Sequence, residues 1–289
     1  MLPNRLSIIG VGLLGGSIGL AVKAAGLDCR VIGYGHRRAT LDRALAVGAI
    51  DEATENITQA VEEADVTILC TPVGLFPQNL RDIAPHLRSG RIVTDVGSTK
   101  RSVVRDAEQL LPKSIRFVGS HPMAGSDRRG IEFARADLFQ GATCILTPTE
   151  QTNADAVQVI ESFWRALGMR IEKLSPDEHD RRMSDISHLP HILAAALVAM
   201  QEDASLPLAG TGFLDATRIA GGDGGLWRDI LQDNRDFLAG SIARLRNVLD
   251  AATTLLDPSN SAELARWLNE AAKRRATMSR RKVREFPPD

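Results

Sequence analysis

The chain has 289 residues, room for two ordinary domains at about 100–200 residues each. Its 44% apolar and 25% charged residues are those of a globular protein rather than a disordered or fibrous one. A formal net charge of −1 argues against a general nucleic-acid or anionic-membrane binder, both of which need a basic surface. No apolar run approaches the roughly 18 residues a membrane-crossing helix needs, and no charged-then-apolar leader opens the sequence. The three scattered cysteines, Cys29, Cys70 and Cys144, fit neither a disulfide framework nor a metal spacing. A cytoplasmic protein with buried, inert thiols is the expectation.

The first element is a short apolar strand running into Gly10-Val11-Gly12-Leu13-Leu14-Gly15, followed by a small-residue helix that stops at Gly26. This is the spacing of a dinucleotide site. Gly10 makes the tight turn, Gly12 lets the backbone approach a pyrophosphate, and Gly15 lets the helix pack closely on the strand. The helix start at Leu13 and Leu14 turns its unpaired N–H groups toward phosphate. A second strand at 29–34 follows at the interval such a unit requires and ends in Gly35-His36-Arg37-Arg38. An NAD site places Asp or Glu near here for the ribose hydroxyls. This chain has no acid there and two arginines, which pair with a 2′-phosphate. The pattern favours NADP, with NAD the alternative; the plain use of Arg37 and Arg38 is to start the next helix in solvent.

Helices are expected at 41–47 and 56–64, then a buried strand at 66–70 ending in Thr71-Pro72. A helix to about 87, a strand at 91–94 ending in Asp95-Val96-Gly97-Ser98-Thr99-Lys100, a helix to 111, and a strand at 115–118 delivering Ser120-His121 come next. Strands alternating with helices mean an α/β fold, a Rossmann-type parallel sheet wound by right-handed crossovers. Ligands of such sheets sit beyond the carboxyl ends of the strands. Gly10 and Gly12, Gly35 to Arg37, Thr71 and Pro72, Gly97 and Ser98, and Ser120 and His121 all fall at that edge. Pro122 holds His121 in extended backbone; the alternative is a histidine that only caps a turn.

Strands at 143–147 and 169–173 flank a helix at 152–167. Ser175-Pro176-Asp177-Glu178 then reads as a helix start, with a capping hydroxyl, proline at the first position and acids in the first turn. No strand pattern recurs after it. The boundary is placed there: 1–174 as the dinucleotide-binding domain and 175–289 as an all-helical domain ending in a basic, frayed tail. His188 and His191 lie three apart around Pro190, which should kink their helix. No nearby acids or cysteines complete a tetrahedral metal set around them. The apolar stretch 192–200 suits a core or subunit-interface helix. The glycine-rich segment 221–225, between Arg218 and Trp227, suits either anion capture or a plain linker.

Together these pieces resemble the prephenate/arogenate dehydrogenase family of tyrosine biosynthesis. The matching stretches are IIGVGLLGGS at 8–17, DVGSTK at 95–100, SHPMAGSDRRG at 120–130, LFQGATCILTPT at 138–149, SHLPH at 187–191, DATRIAGGD at 215–223 and LWRDI at 226–230. The resemblance implies oxidative decarboxylation of prephenate or arogenate with hydride transfer to NADP or NAD, and a homodimer formed through the helical domain. It implies that His121 accepts a hydrogen bond and a proton from the ring hydroxyl, which requires a neutral imidazole and an activity that rises through a pKa near the histidine range. Ser98 would bond the same centre and orient that histidine. Arg218 would bind a substrate carboxylate. Ser126 and His191 would line the substrate pocket, with His188 and Trp227 nearby. Asp127 stands where relatives carry Glu or a neutral residue, and would pair with an ammonium or a gating arginine. A hydroxyacid or imino-acid dehydrogenase of similar build would use a lysine in the helical domain, and none lies between Lys173 and Lys273. A nucleotide-binding redox sensor would not need Ser98, His121 and Arg218 together.

Overall fold

A computed structural model describes residues 2–125 and 128–285. Strands β1 (Arg5–Ile9), β2 (Arg30–Tyr34), β3 (Glu52–Thr54), β4 (Val66–Leu69), β5 (Ile92–Asp95) and β6 (Arg116–Val118) form one sheet in the order β3-β2-β1-β4-β5-β6. Every pairing in it is parallel. Successive side chains of a strand point to opposite faces, and both faces here are covered. Leu6 and Ile8 of β1 join an apolar cluster with Ile18 and Val22 of α1 (Leu13–Ala24), Leu41 of α2 (Arg38–Ala46) and Phe163 and Trp164 of α6 (Ala154–Ala166). Ile9 faces the other side, with Val61 of α3 (Ile57–Val61), Phe76 and Leu80 of α4 (Phe76–Ile83) and Val103 of α5 (Arg101–Leu110). Two-sided burial is why β4 reads Val-Thr-Ile-Leu without polar alternation.

The strand expected at 115–118 is β6, and His121, expected in the loop beyond it, lies on a strand of its own. β6 ends at Val118, and β7 (Ser120–Pro122) leaves the large sheet to pair antiparallel with β8 (Thr143–Leu146), which pairs in parallel with β9 (Arg170–Lys173). The switch falls at Gly119, where a Cβ would collide with the Thr147 hydroxyl. His121 therefore lies inside a strand, opposite Ile145. Strand β3 has no apolar pattern to announce it, being three half-buried residues, Glu52 to Thr54. Helix α3 begins where the Asn56 side chain caps it by accepting from Thr58 N at 2.9 Å, and it ends at Val61, short of the expected 64.

After β9 the described residues are helical. α7 (Pro176–Met183) starts as its sequence demands, with the Ser175 hydroxyl accepting from Glu178 N at 3.2 Å. A wide π turn at Ser184–His188 precedes α8 (Leu189–Ala199), so Pro190 falls in the first turn of a new helix, where its missing N–H costs little. α9 (Thr211–Thr217), α10 (Gly224–Asp233), α11 (Arg235–Leu255) and α12 (Ser261–Glu285) follow. The stretch expected to fray is helical to Glu285, in keeping with its alanine, arginine, lysine and glutamate content. By packing, residues 1–235 form one compact unit and 236–289 another. Helices α7 to α10 belong with the sheet: Ile230 enters the apolar cluster of Val73 and Phe76, and Ser102 Oγ donates to Asp233 Oδ2 at 2.6 Å.

Candidate active site

The glycine loop has the geometry its spacing demands. Gly10 adopts φ +100°, and a Cβ there would come within 2.9 Å of Thr71 Cγ2. The turn after β1 is thereby pressed against the end of β4, which brings Thr71 beside the loop and leaves Pro72 to open the next turn. A Cβ on Gly15 would collide with the Gly10 carbonyl, so α1 reaches its close approach only with glycine. At Gly12 nothing of the protein lies within 4 Å of an added Cβ, and no side chain caps the helix that starts at Leu13 and Leu14. Open space in front of uncapped helical N–H groups fits a pyrophosphate. At the end of β2, Gly35 gives way to exposed His36, Arg37 and Arg38. Arg38 is held by Asp42 one turn on, at 2.9 Å, while Arg37 stands at the N-terminus of α2 and its side chain has no hydrogen bond or ion pair among the described residues.

The chemistry-bearing side chains gather where β5 ends. Asp95, fully buried, accepts from Ser120 N at 3.0 Å and Gly97 N at 2.7 Å and pairs with the Lys100 ammonium. One carboxylate thus fastens the Gly97-Ser98 loop on one side and the His121 strand on the other. Ser98 is half-buried in that loop. Ser120 is further fixed by its hydroxyl, which donates to the Asp95 carbonyl at 2.5 Å and accepts from Trp164 Nε1 at 3.3 Å. Burial raises the Asp95 carboxyl; Lys100 and the two backbone N–H groups oppose that shift.

His121 is buried, and its Nδ1 lies 2.8 Å from Nε2 of His179. His179 Nδ1 lies in turn 2.8 Å from Asp180 Oδ1. The Asp180 carboxylate also accepts from Lys100 N at 2.8 Å and Arg101 N at 2.9 Å, and so caps α5. Burial holds His121 well below the ordinary histidine range, and His179, Lys100 and His188 add to the depression. Burial and then Lys100 and His188 press His179 down to about 2. Both rings are neutral at physiological pH.

Asn234 links this row to His188. Its Nδ2 donates to the Asp180 carbonyl at 2.7 Å and contacts His188 Nδ1 at 3.0 Å. His188 is fully buried, its pKa lowered by that burial to about 4, and its Nε2 has no partner among the described residues. His191, also lowered by burial, stacks on Trp227 with ring centroids 3.6 Å apart and planes 13° from parallel. Gly222 permits that stack, since a Cβ there would lie 2.6 Å from the indole nitrogen and 3.2 Å from His191. Asp223 caps α10 through Leu226 N at 2.7 Å and pairs with Arg129, tying the loop after His121 to the glycine-rich break. Four of the six histidines converge, and among the described residues no group of three His, Cys, Asp or Glu is arranged to hold a metal.

The structure thus brings His121, His188, His191 and Trp227 into one region, with the Ser98 loop tethered to it. Arg218 is exposed in a short turn after α9 that packs against α8, the helix carrying His191. Ser126 and Asp127 lie outside the described residues. Sequence reasoning missed Asp95, Lys100, His179, Asp180 and Asn234. A signal existed for two of them: His179, Asp180 and Met183 share the buried face of α7, while Glu178, Arg181 and Arg182 pair with one another at the surface. The three cysteines are free, and burial first of all raises each thiol, Cys29 to about 11.

A Rossmann-type sheet with a glycine-cradled helix start, a row of buried neutral histidines and a helical second part defines a nucleotide-binding protein of the dehydrogenase type. Two family models cover it: "Prephenate dehydrogenase, nucleotide-binding domain" matches 18–173 and "Prephenate dehydrogenase, dimerization domain" matches 175–270. The chain belongs to the prephenate dehydrogenase family. It is 36% identical over 277 residues to prephenate dehydrogenase of Bacillus subtilis, covering 93% of this chain and 75% of that one. It is 38% identical over 239 residues to cyclohexadienyl dehydrogenase of Zymomonas mobilis, covering 80% and 81%. Among solved structures, prephenate dehydrogenase from Aquifex aeolicus in complex with hydroxyphenyl propionate and NAD+ superposes with a TM-score of 0.89 at 32% identity, covering 95% of this chain and 98% of that one. Arogenate dehydrogenase from Synechocystis gives 0.81 at 32%, covering 95% and 99%.

Proposed function

We propose that the protein oxidises and decarboxylates a prephenate-type cyclohexadienol, prephenate or arogenate, in tyrosine biosynthesis. The observation that carries this reading is His121: a buried, neutral imidazole on a strand tethered through Asp95 to the Ser98 loop, at the edge where the glycine loop opens. A bound nicotinamide would supply the hydride acceptor for the carbon bearing the ring hydroxyl. His121 accepts the hydroxyl proton as that carbon takes on ketone character, with Ser98 bonding the same oxygen. The carboxylate opposite leaves as carbon dioxide, its bonding pair completes the aromatic ring, and the phenol recovers the proton. Aromatisation drives that loss, so no second base is needed.

Gly10, Gly12, Leu13, Leu14, Gly15, Thr71 and Pro72 would hold the dinucleotide, and the free Arg37 beside Gly35 and His36 favours NADP over NAD. His188, His191 and Trp227, with Ser126 and Asp127, would line the substrate site, and Arg218 would bind a substrate carboxylate. We further propose the functional boundary at 174/175, supported by the family models meeting there. A homodimer through the helical part is supported by apolar side chains left exposed on and near α8, among them Leu197, Val198, Met200, Leu208 and Leu214. A cytoplasmic location accords with the absence, among the described residues, of any helix long and apolar enough to cross a membrane. Steady-state assays crossing prephenate and arogenate with NADP+ and NAD+ test the reading. Turnover of one of the two acids with release of carbon dioxide is expected; no turnover in any of the four combinations overturns it.

A further inference from the structure

We infer that His179 and Asp180 are positioning residues that lock His121 into the tautomer with the proton on Nδ1, leaving Nε2 bare toward the substrate hydroxyl. The inference rests on the reading of His121 as the acceptor, and it follows from which atoms are able to donate.

Asp180 has only lone pairs to offer as a carboxylate, and both its oxygens already accept backbone N–H groups, from Lys100 and Arg101. A proton on either oxygen would compete with those bonds, so Asp180 is an acceptor. The contact of 2.8 Å between His179 Nδ1 and Asp180 Oδ1 therefore needs the hydrogen on His179 Nδ1. A neutral imidazole carries one N–H, so His179 Nε2 holds a lone pair. That lone pair faces His121 Nδ1 at 2.8 Å, and two lone pairs at that distance repel. His121 must supply the hydrogen from Nδ1, which leaves its Nε2 unprotonated. Among the described residues Nε2 of His121 has no hydrogen-bond partner. The row is rigid because its far end is the N-terminal cap of α5, and α5 leads directly out of the Ser98 loop. The logic is that of a carboxylate behind a catalytic histidine, with a second imidazole between the two.

Nitrogen-15 spectra of histidine-labelled protein, assigned by comparison with His121→Asn, read the tautomer without any turnover. The expected result is Nδ1–H for His121 in the wild type; Nε2–H overturns the inference. His179→Leu removes the acceptor and should lower kcat by about 10²-fold, the scale of a positioned base, with nucleotide affinity unchanged. His179→Gln presents an amide oxygen to His121 Nδ1 and should recover most of that loss. Wild-type turnover in His179→Leu, or a His179→Gln no better than His179→Leu, overturns it as well. If His121→Asn itself keeps full turnover, the reading of His121 fails instead, and the two failures are told apart.

Discussion

The two halves of the candidate site are built from opposite materials. The nucleotide half is made of backbone: positive φ at Gly10, the emptiness in front of Gly12, the contact that only glycine allows at Gly15, and an uncapped helix start. The substrate half is made of buried side chains from four separate segments, with Asp95 ending β5 and Lys100 just after it, His121 on β7, His179 and Asp180 on α7, and Asn234 beyond α10. Backbone sites are specified locally and tolerate little but glycine. Side-chain sites are specified by tertiary contact, and each member depends on groups far away in sequence. Damage should therefore spread differently: lost binding in the first half, lost stability or turnover in the second.

The largest effect is expected at the buried ion pair. Lys100→Met leaves Asp95 as an uncompensated buried charge, a loss of about 3–5 kcal/mol, and also loosens the Gly97 and Ser120 bonds that Asp95 organises. Chemical denaturation should show the drop. A variant as stable as the wild type would mean that Asp95 is protonated and that the fold does not use the pair. Next comes His121→Asn, which should cut kcat by about 10³-fold while nucleotide binding, followed by reduced-cofactor fluorescence, stays intact. Equal losses in both would erase the division between the halves.

The pH profile sharpens the same contrast. The general expectation is activity rising through a pKa near the ordinary histidine value of about 6.5. Burial, His179, Lys100 and His188 all depress His121, and only its neutral form accepts a proton. Activity should therefore stay level as pH falls through 6.5 and decline only at more acidic pH. An acid limb of kcat/KM at or above about 6.5 would show that the depression is absent in the working enzyme.

The same division explains what was legible in the sequence. The glycine loop, the strand-helix alternation and the sheet edge are local or periodic signals, and they place Gly10, Gly12, Gly15 and Thr71 where they stand. The strand at 120–122 was not legible, because Ser120-His121-Pro122 reads as a loop held by proline and only the Thr147 hydroxyl packed against Gly119 shows why the chain changes sheet. Asp95 and Lys100 were in view in DVGSTK, yet their partnership depends on complete burial. His179 and Asp180 sit within the charged stretch Asp177 to Arg182. Their register with Met183 was the clue, since it puts a histidine and an acid on the face α7 turns inward.

In the nucleotide half, Gly12→Val separates fold from function. Nothing of the protein lies within 4 Å of the new Cβ, so thermal stability should hold while the pyrophosphate loses its place, with affinity falling at least tenfold, about 1.4 kcal/mol. A destabilised variant with normal affinity would reverse the roles of the loop.

The smallest effect concerns Arg37, the side chain proposed to reach a cofactor phosphate beside the backbone half. Arg38 is engaged with Asp42, whereas the Arg37 side chain has no such partner among the described residues, and residues 35–38 include no acid to bind ribose hydroxyls. Arg37→Ala should lower kcat/KM for NADP+ by about fivefold, the scale of a solvent-screened charge-assisted bond, and leave NAD+ unaffected. An equal fall for both nucleotides would make Arg37 a general phosphate contact. No change with NADP+, or a wild type that strongly prefers NAD+, would mean that the arginines only begin α2, and that this half of the site, like its glycines, reads nothing but backbone-borne phosphate.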